Sequence, residues 1–140
     1  MNFSLPPPGP RRLFKDVYTW AGEYREVRIS KGESPFCYPE YIPGEIKKLL
    51  EGLRRDNHLH GLSAQRFAPQ AASLLTNLNA IHPFRDGNGR RQMAFMAPLA
   101  PRAGHPLRLT RLAPAEFMEA MIQSFKGDEE PLIEQLTRLL

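Results

Sequence analysis

The chain of 140 residues has one cysteine, Cys37, and one tryptophan, Trp20. A single thiol excludes an internal disulfide and any zinc site built on cysteines. No apolar run approaches the roughly 20 residues needed to cross a bilayer. Residues 1–12 lack the apolar core of a signal peptide. No membrane association is expected, and the expected compartment is the cytoplasm. Internal repeats are absent, which excludes solenoids and propellers. The net charge is +4, but the basic residues are scattered without an aromatic-interleaved stripe, so nucleic acid is not an expected partner. His58 and His60 alternate with no further metal ligands nearby and read as surface residues.

An apolar content of 41% and this length fit one globular domain with a real core. Proline is plentiful, at 14 residues. The run Pro6-Pro7-Pro8-Gly9-Pro10 cannot be helical, so residues 1–11 are expected as a proline-rich arm and residues 12–140 as the domain.

The periodicity is mainly helical. Helices are expected over residues 11–20, 39–55, 63–81, from Asn88 to about Ala97, from Thr110 or Ala113 to Phe125, and over 131–140. Pro69 should kink or restart the third of these, and Pro98 should help end the fourth. In the fifth, Phe117, Met118, Met121 and Ile122 are expected to face inward. Between the first two helices, residues 26–30 alternate as a strand, 31–35 read as a turn, and 36–38 return as a second strand. Such a two-stranded hairpin leaves an edge on which an extended peptide can add as a strand.

The chemistry gathers in Ile81-His82-Pro83-Phe84-Arg85-Asp86-Gly87-Asn88-Gly89-Arg90-Arg91. Pro83 disfavours helical geometry at His82, so the preceding helix should stop there. Asn88 can cap the next helix, whose first turn holds Arg90. Gly87 and Gly89 can align successive N–H groups into an anion-binding nest, and the new helix adds its positive dipole end. Arg90 supplies a permanent forked cation. Asp86 would repel a bare phosphate and makes better sense as a ligand for Mg²⁺ bridging phosphates. His82 titrates near working pH and stands where it can take a proton from a hydroxyl. Together these residues describe transfer of a phosphorus-centred group to a hydroxyl.

His82 to Arg90 closely resembles the signature of Fic-domain proteins, His-x-Phe-x-Asp/Glu-Gly-Asn-Gly-Arg. Leu13 to Gly22 and the stretch Ile29 to Phe36 resemble the same family. The resemblance implies a mainly α, compact helical domain with a short β-hairpin flap. It implies an enzyme that transfers AMP from ATP to a Ser, Thr or Tyr hydroxyl of a target protein, with Mg²⁺. In that reading His82 is the general base, Phe84 anchors the loop, Asp86 holds Mg²⁺, and Gly87, Asn88, Gly89 and Arg90 cradle the phosphates. Ser34, Pro35 and Phe36 would contact the target from the flap. Kinases of the Doc type in this superfamily usually carry Lys where Gly89 stands, so Gly89 points to adenylylation.

The family signature usually continues to a second arginine three residues after the first, and here that position is Met93. Residues three apart share a helix face, whereas Arg91 points elsewhere. A catalytically weakened nucleotide- or partner-binding module, and a transferase using another nucleotide donor, therefore stand beside the adenylyltransferase reading. The chain also lacks the Ser/Thr-x-x-x-Glu-Gly/Asn inhibitory motif of many Fic proteins. The resemblance then implies either a separate small antitoxin-like partner or no such control.

Overall fold

The computed structural model describes residues 19–140. The arm expected at 1–11 and most of the helix expected at 11–20 lie outside the described residues. Among the described residues there are five α-helices: α1 Ile42–Arg55, α2 Ala64–Ile81, α3 Asn88–Arg102, α4 Pro114–Phe125 and α5 Glu130–Leu139. One antiparallel hairpin joins β1 Ser30–Lys31 to β2 Ser34–Pro35, with Ser30 opposite Pro35. None of these helices is long and apolar enough to cross a membrane.

The most buried helix is α2. Phe67, Ala71, Leu75 and Leu78 repeat at helical spacing and are fully buried, and its alanines let neighbours approach closely. Helices α1, α3, α4 and α5 all pack against it, and α5 also packs on α4. Ser63 starts α2 as expected, its hydroxyl accepting from the Arg66 N–H at 3.3 Å. Trp20 is a core residue and packs edge-on against Phe84 with ring centroids 5.2 Å apart.

Pro69 neither restarts α2 nor ends it: the helix runs unbroken from Ala64 to Ile81. The carbonyl that loses its partner belongs to Gln65, an exposed residue that water can serve. The same reason lets α3 continue through Pro98 and Pro101 to Arg102, beyond the end expected near Ala97. Their missing bonds fall on Ala94 and Ala97, both exposed, while Leu99, Ala100 and Ala103 carry the helix on into the core.

The strands are shorter and lie nearer the turn than the alternation suggests: only Ser30 of the expected first strand is paired in the ladder, β2 falls within the expected turn, and residues 36–38 form no strand. Pairing extends from the two-residue ladder only through Phe36 N–H to the Ile29 carbonyl, at 3.0 Å. The Cys37 N–H turns instead to the Ala80 carbonyl of α2 at 3.0 Å. The carbonyls of Val27 and Cys37 are taken by the Arg25 side chain. A longer ladder has no partners left. His60 is exposed as expected, whereas His58 is half-buried.

Truncating the centre of the α2 stripe tests this packing. Leu75→Ala is expected to cost about 2–5 kcal/mol, read as a lower midpoint in urea unfolding with an unchanged slope.

Candidate active site

Helix α2 stops at His82, which takes a left-handed backbone conformation with φ 47° and ψ 64°. Its N–H still reaches the Leu78 carbonyl at 3.0 Å, and its imidazole turns out of the helix line. Pro83 and Phe84 then dive into the core, Phe84 being 3% exposed. The chain returns through Arg85 and Asp86, both exposed, to Gly87, where a φ of 74° starts α3.

Asn88 is not the cap of α3. It is the first helical residue, and its side chain folds back into the interior, 6% exposed. Its Oδ1 accepts from the Phe84 N–H at 3.1 Å, and its Nδ2 donates to the Phe84 carbonyl at 2.8 Å. Those two contacts outweigh a solvent-facing cap, because they satisfy buried backbone groups that would otherwise be stranded. They also fix which way the amide points. Its remaining N–H lies 3.1 Å from His82 Nε2, which therefore accepts. The neutral imidazole then carries its proton on Nδ1.

Because Gly87 has no side chain, nothing caps the first turn of α3, and its leading N–H groups have no partner within the helix. A Cβ on Gly87 would lie 2.8 Å from Arg90 Nη2, so the guanidinium folds over this glycine. A Cβ on Gly89 would meet nothing, so the backbone there is open to an approaching ligand. The two glycines thus have different reasons for being glycine.

These residues line a cavity of about 490 Å³ together with Lys31 and Phe36 of the hairpin. The rest of the lining is largely apolar, with Met93, Leu112, Phe117, Met121 and Ile122 among it. Met118, expected inward, is 60% exposed and sits at the cavity rim instead. Arg91 points away from the cavity, ion-paired with Glu23 at 2.8 Å and lying 3.9 Å over the Phe84 ring. Of the expected site residues, His82, Asp86, Gly87, Asn88, Gly89 and Arg90 line this one cavity. Ser34 and Pro35 do not: Ser34 is exposed on the hairpin, and Pro35 borders a separate groove between α1 and α2. Phe36 is 7% exposed and stacks on the His82 ring at 3.9 Å with an interplanar angle of 9°.

Arg25 and the Phe36–His82 stack carry no sequence signal of their own. Arg25 is 4% exposed, and its guanidinium donates to four backbone carbonyls. Burial first, and nearby carboxylates second, hold the Cys37 thiol above the usual range. It is no nucleophile.

Residues 10–100 match the Fic/DOC family. This chain belongs to that family. A probable protein adenylyltransferase of Sinorhizobium fredii, y4lH, is 46% identical over 93% of this chain and 68% of its own length. The protein adenylyltransferase VbhT of Bartonella schoenbuchensis is 38% identical over 86% of this chain, which spans only 25% of VbhT. Among solved structures, BepC of Bartonella tribocorum, crystallised with AMPPNP, superposes with a TM-score of 0.77 at 27% identity, covering 97% of this chain and 77% of BepC.

The His82 imidazole is pushed down from 6.5 to about 4, by burial first and then by the charges of Arg25 and Lys31. Between pH 6.5 and about 4 the unfolded chain binds the proton and the folded Fic domain does not. This contribution to stability is thus complete above about pH 6.5 and is lost as pH falls toward 4. Thermal unfolding of wild type and His82→Ala across pH 4–8 checks this, with a smaller acid-side loss expected in the variant. The His82 ring itself, followed by NMR, is expected to titrate near pH 4.

Proposed function

We propose that this Fic/DOC chain is a protein adenylyltransferase that moves AMP from ATP onto a side-chain hydroxyl of another protein. The observation that carries the reading is the single cavity lined both by a neutral imidazole, an uncapped helix start and an arginine and by a set of apolar side chains. A nucleotide has the matching polarity, phosphates at one end and a flat base at the other.

The N–H groups at the start of α3 and the Arg90 guanidinium address the phosphates. Leu112, Phe117, Met121 and Ile122 offer the base an apolar bed. The acceptor hydroxyl replaces the Asn88 amide at His82 Nε2, the unprotonated nitrogen of the ring. Its oxygen attacks the α-phosphorus, its proton passes to Nε2, and the bond to pyrophosphate breaks. Being neutral throughout the physiological range, His82 is always in the form that can accept.

Among the described residues there is no group of three metal-ligating side chains. A lone carboxylate, Asp86, beside the phosphate wall suits Mg²⁺, which takes one or two carboxylates and otherwise phosphates and water. Bound there, Mg²⁺ would neutralise phosphate charge as the leaving group departs. Ser34 and Pro35, on the exposed hairpin, are available to the target's backbone. Residues 1–11 read as an arm outside the catalytic domain, and use of ATP fits action in the cytoplasm.

Met93 favours a second reading, a domain that binds nucleotide or a partner but transfers slowly. It lines the cavity one helical turn beyond Arg90, where a thioether cannot address a phosphate. The missing charge-assisted contact is worth about 1.5–3 kcal/mol. An antitoxin-like partner presenting a glutamate would find Arg90 and Lys31 here, and no arginine at 93.

Incubation with α-labelled ATP, Mg²⁺ and lysate, with product mass measured, separates these readings. Wild type is expected to add AMP, His82→Ala to add none, and Met93→Arg to add it faster. Labelling that survives His82→Ala would remove the base from the mechanism. Met93→Arg with activity unchanged would remove the second reading's support.

Gly89→Ala separates fold from function. Alanine meets open space and suits a helix, so stability is expected to hold or rise by up to about 1 kcal/mol. The methyl occupies the phosphates' approach, so ATP affinity measured by calorimetry is expected to fall at least tenfold. Unchanged affinity would move the phosphates off this turn.

A further inference from the structure

We infer that Arg25 is a positioning residue for the proposed transfer, clamping the flap and the catalytic imidazole together as one unit. This inference rests on His82 being the base. The Arg25 side chain reaches two places, the end of α2 and the hairpin segment. Nε donates to the His82 carbonyl at 2.6 Å, and Nη2 to the Ile81 carbonyl at 3.1 Å. Nη1 donates to the Val27 carbonyl at 2.7 Å, and Nη2 also to that of Cys37. The backbone joins in, with Arg25 N–H to the Pro83 carbonyl at 2.8 Å.

Three features make this more than general core filling. First, the partners are all neutral carbonyls, and those of Ile81 and His82 lie at the negative end of the α2 dipole. A buried arginine with no carboxylate is tolerated because that end of the helix supplies the field. Second, the carbonyls of His82 and Pro83 are both held by Arg25, which fixes the peptide following the left-handed residue. A residue with a Cβ takes φ 47° only at a cost. Without Arg25 its backbone can relax, and the imidazole leaves its place beside the cavity. Third, Cys37 follows Phe36, whose ring covers His82. Arg25 thus holds both sides of the stack, one through the Cys37 carbonyl and the other through the His82 carbonyl. A lysine has donors radiating from a single point and cannot reach four carbonyls spread around a planar fork.

Arg25 touches none of Gly87, Gly89 or Arg90, so it should govern placement of the base and leave nucleotide binding alone. The test uses Arg25→Gln and Arg25→Lys in the full chain, with Phe36→Leu as reference. Stacking at 3.9 Å displaces the His82 ring-proton resonances by ring current, and Phe36→Leu removes that displacement. Folded Arg25→Gln is expected to lose most of it, and Arg25→Lys part of it. With ATP as donor, kcat is expected to fall about 10- to 100-fold in Arg25→Gln, with KM for ATP within twofold of wild type. His82 resonances at wild-type positions in a folded Arg25→Gln would overturn the inference. So would a loss confined to KM. If Arg25→Gln does not fold, Arg25→Lys decides by the same resonances. If wild type proves to transfer no nucleotide, the resonances still decide the clamp, and the failure belongs to the adenylyltransferase reading instead.

Discussion

The site depends on how the most buried helix is stopped. A helix end leaves carbonyls without partners, and those of α2 emerge into the interior and not into water. Arg25 answers them with a fork of donors, and the left-handed turn at His82 follows from that arrangement. A non-glycine residue in this conformation costs about 1–2 kcal/mol. It persists because the surroundings over-determine it: an N–H bound to Leu78, a carbonyl bound to Arg25, and a side chain between Phe36 and Asn88. The conformation that a helix would avoid is the one that turns the imidazole toward the cavity.

Electrostatics then follow from burial. Stacked under Phe36 and near two cations, the ring has every reason to stay neutral. Asn88 reinforces this by offering an N–H, which a protonated ring could not accept. A low proton affinity makes for a weak base toward a free alcohol. In the proposed transfer it suits an alcohol whose proton becomes more acidic as the oxygen bonds to phosphorus, and it leaves Nε2 unprotonated when the hydroxyl arrives. The same Asn88 side chain that sets the tautomer also ties down Phe84, so loop shape and protonation state are coupled through one amide.

Much of this is legible in the residue order, and the reasons for the exceptions are physical. The α2 stripe and its stop before Pro83 follow from helical spacing and proline sterics, both local. The family signature carries the loop, and Phe84 lies in the core as the resemblance implies. Local rules mislead where a distant partner intervenes. Asn88 obeys a capping preference in isolation, but here the Phe84 backbone offers it a better, buried pair. Val27 and Ile29 alternate like a strand, yet Arg25 takes the carbonyls a ladder would need. Pro98 and Pro101 look like stop signals, but the carbonyls they strand face water while the next residues face the core. Arg25 itself is illegible because its partners are backbone atoms, which any residue can present. Met118 shows the limit of periodicity: it shares an inward-looking stripe with Phe117 and Met121, but the space beyond it is a cavity and not protein.

Two adjacent arginines at the start of α3 have different fates, and the helical turn decides them. Successive residues are about 100° apart around the axis, so Arg90 closes over Gly87 while Arg91 lies over Phe84 and pairs with Glu23. Arg91 cannot be recruited to the cavity without giving up that ring and ion pair. It is therefore structural charge, and Met93, one helical turn beyond Arg90, lines the cavity instead. What remains for the phosphates is one arginine, a lysine from the hairpin and the bare helix start. Backbone N–H groups do not depend on side-chain identity, so the grip at the glycine end survives the Met93 departure, while the end nearer α4 is left apolar. In the proposed reading the polar end takes the phosphates and the apolar end nearer α4 takes the nucleotide's base.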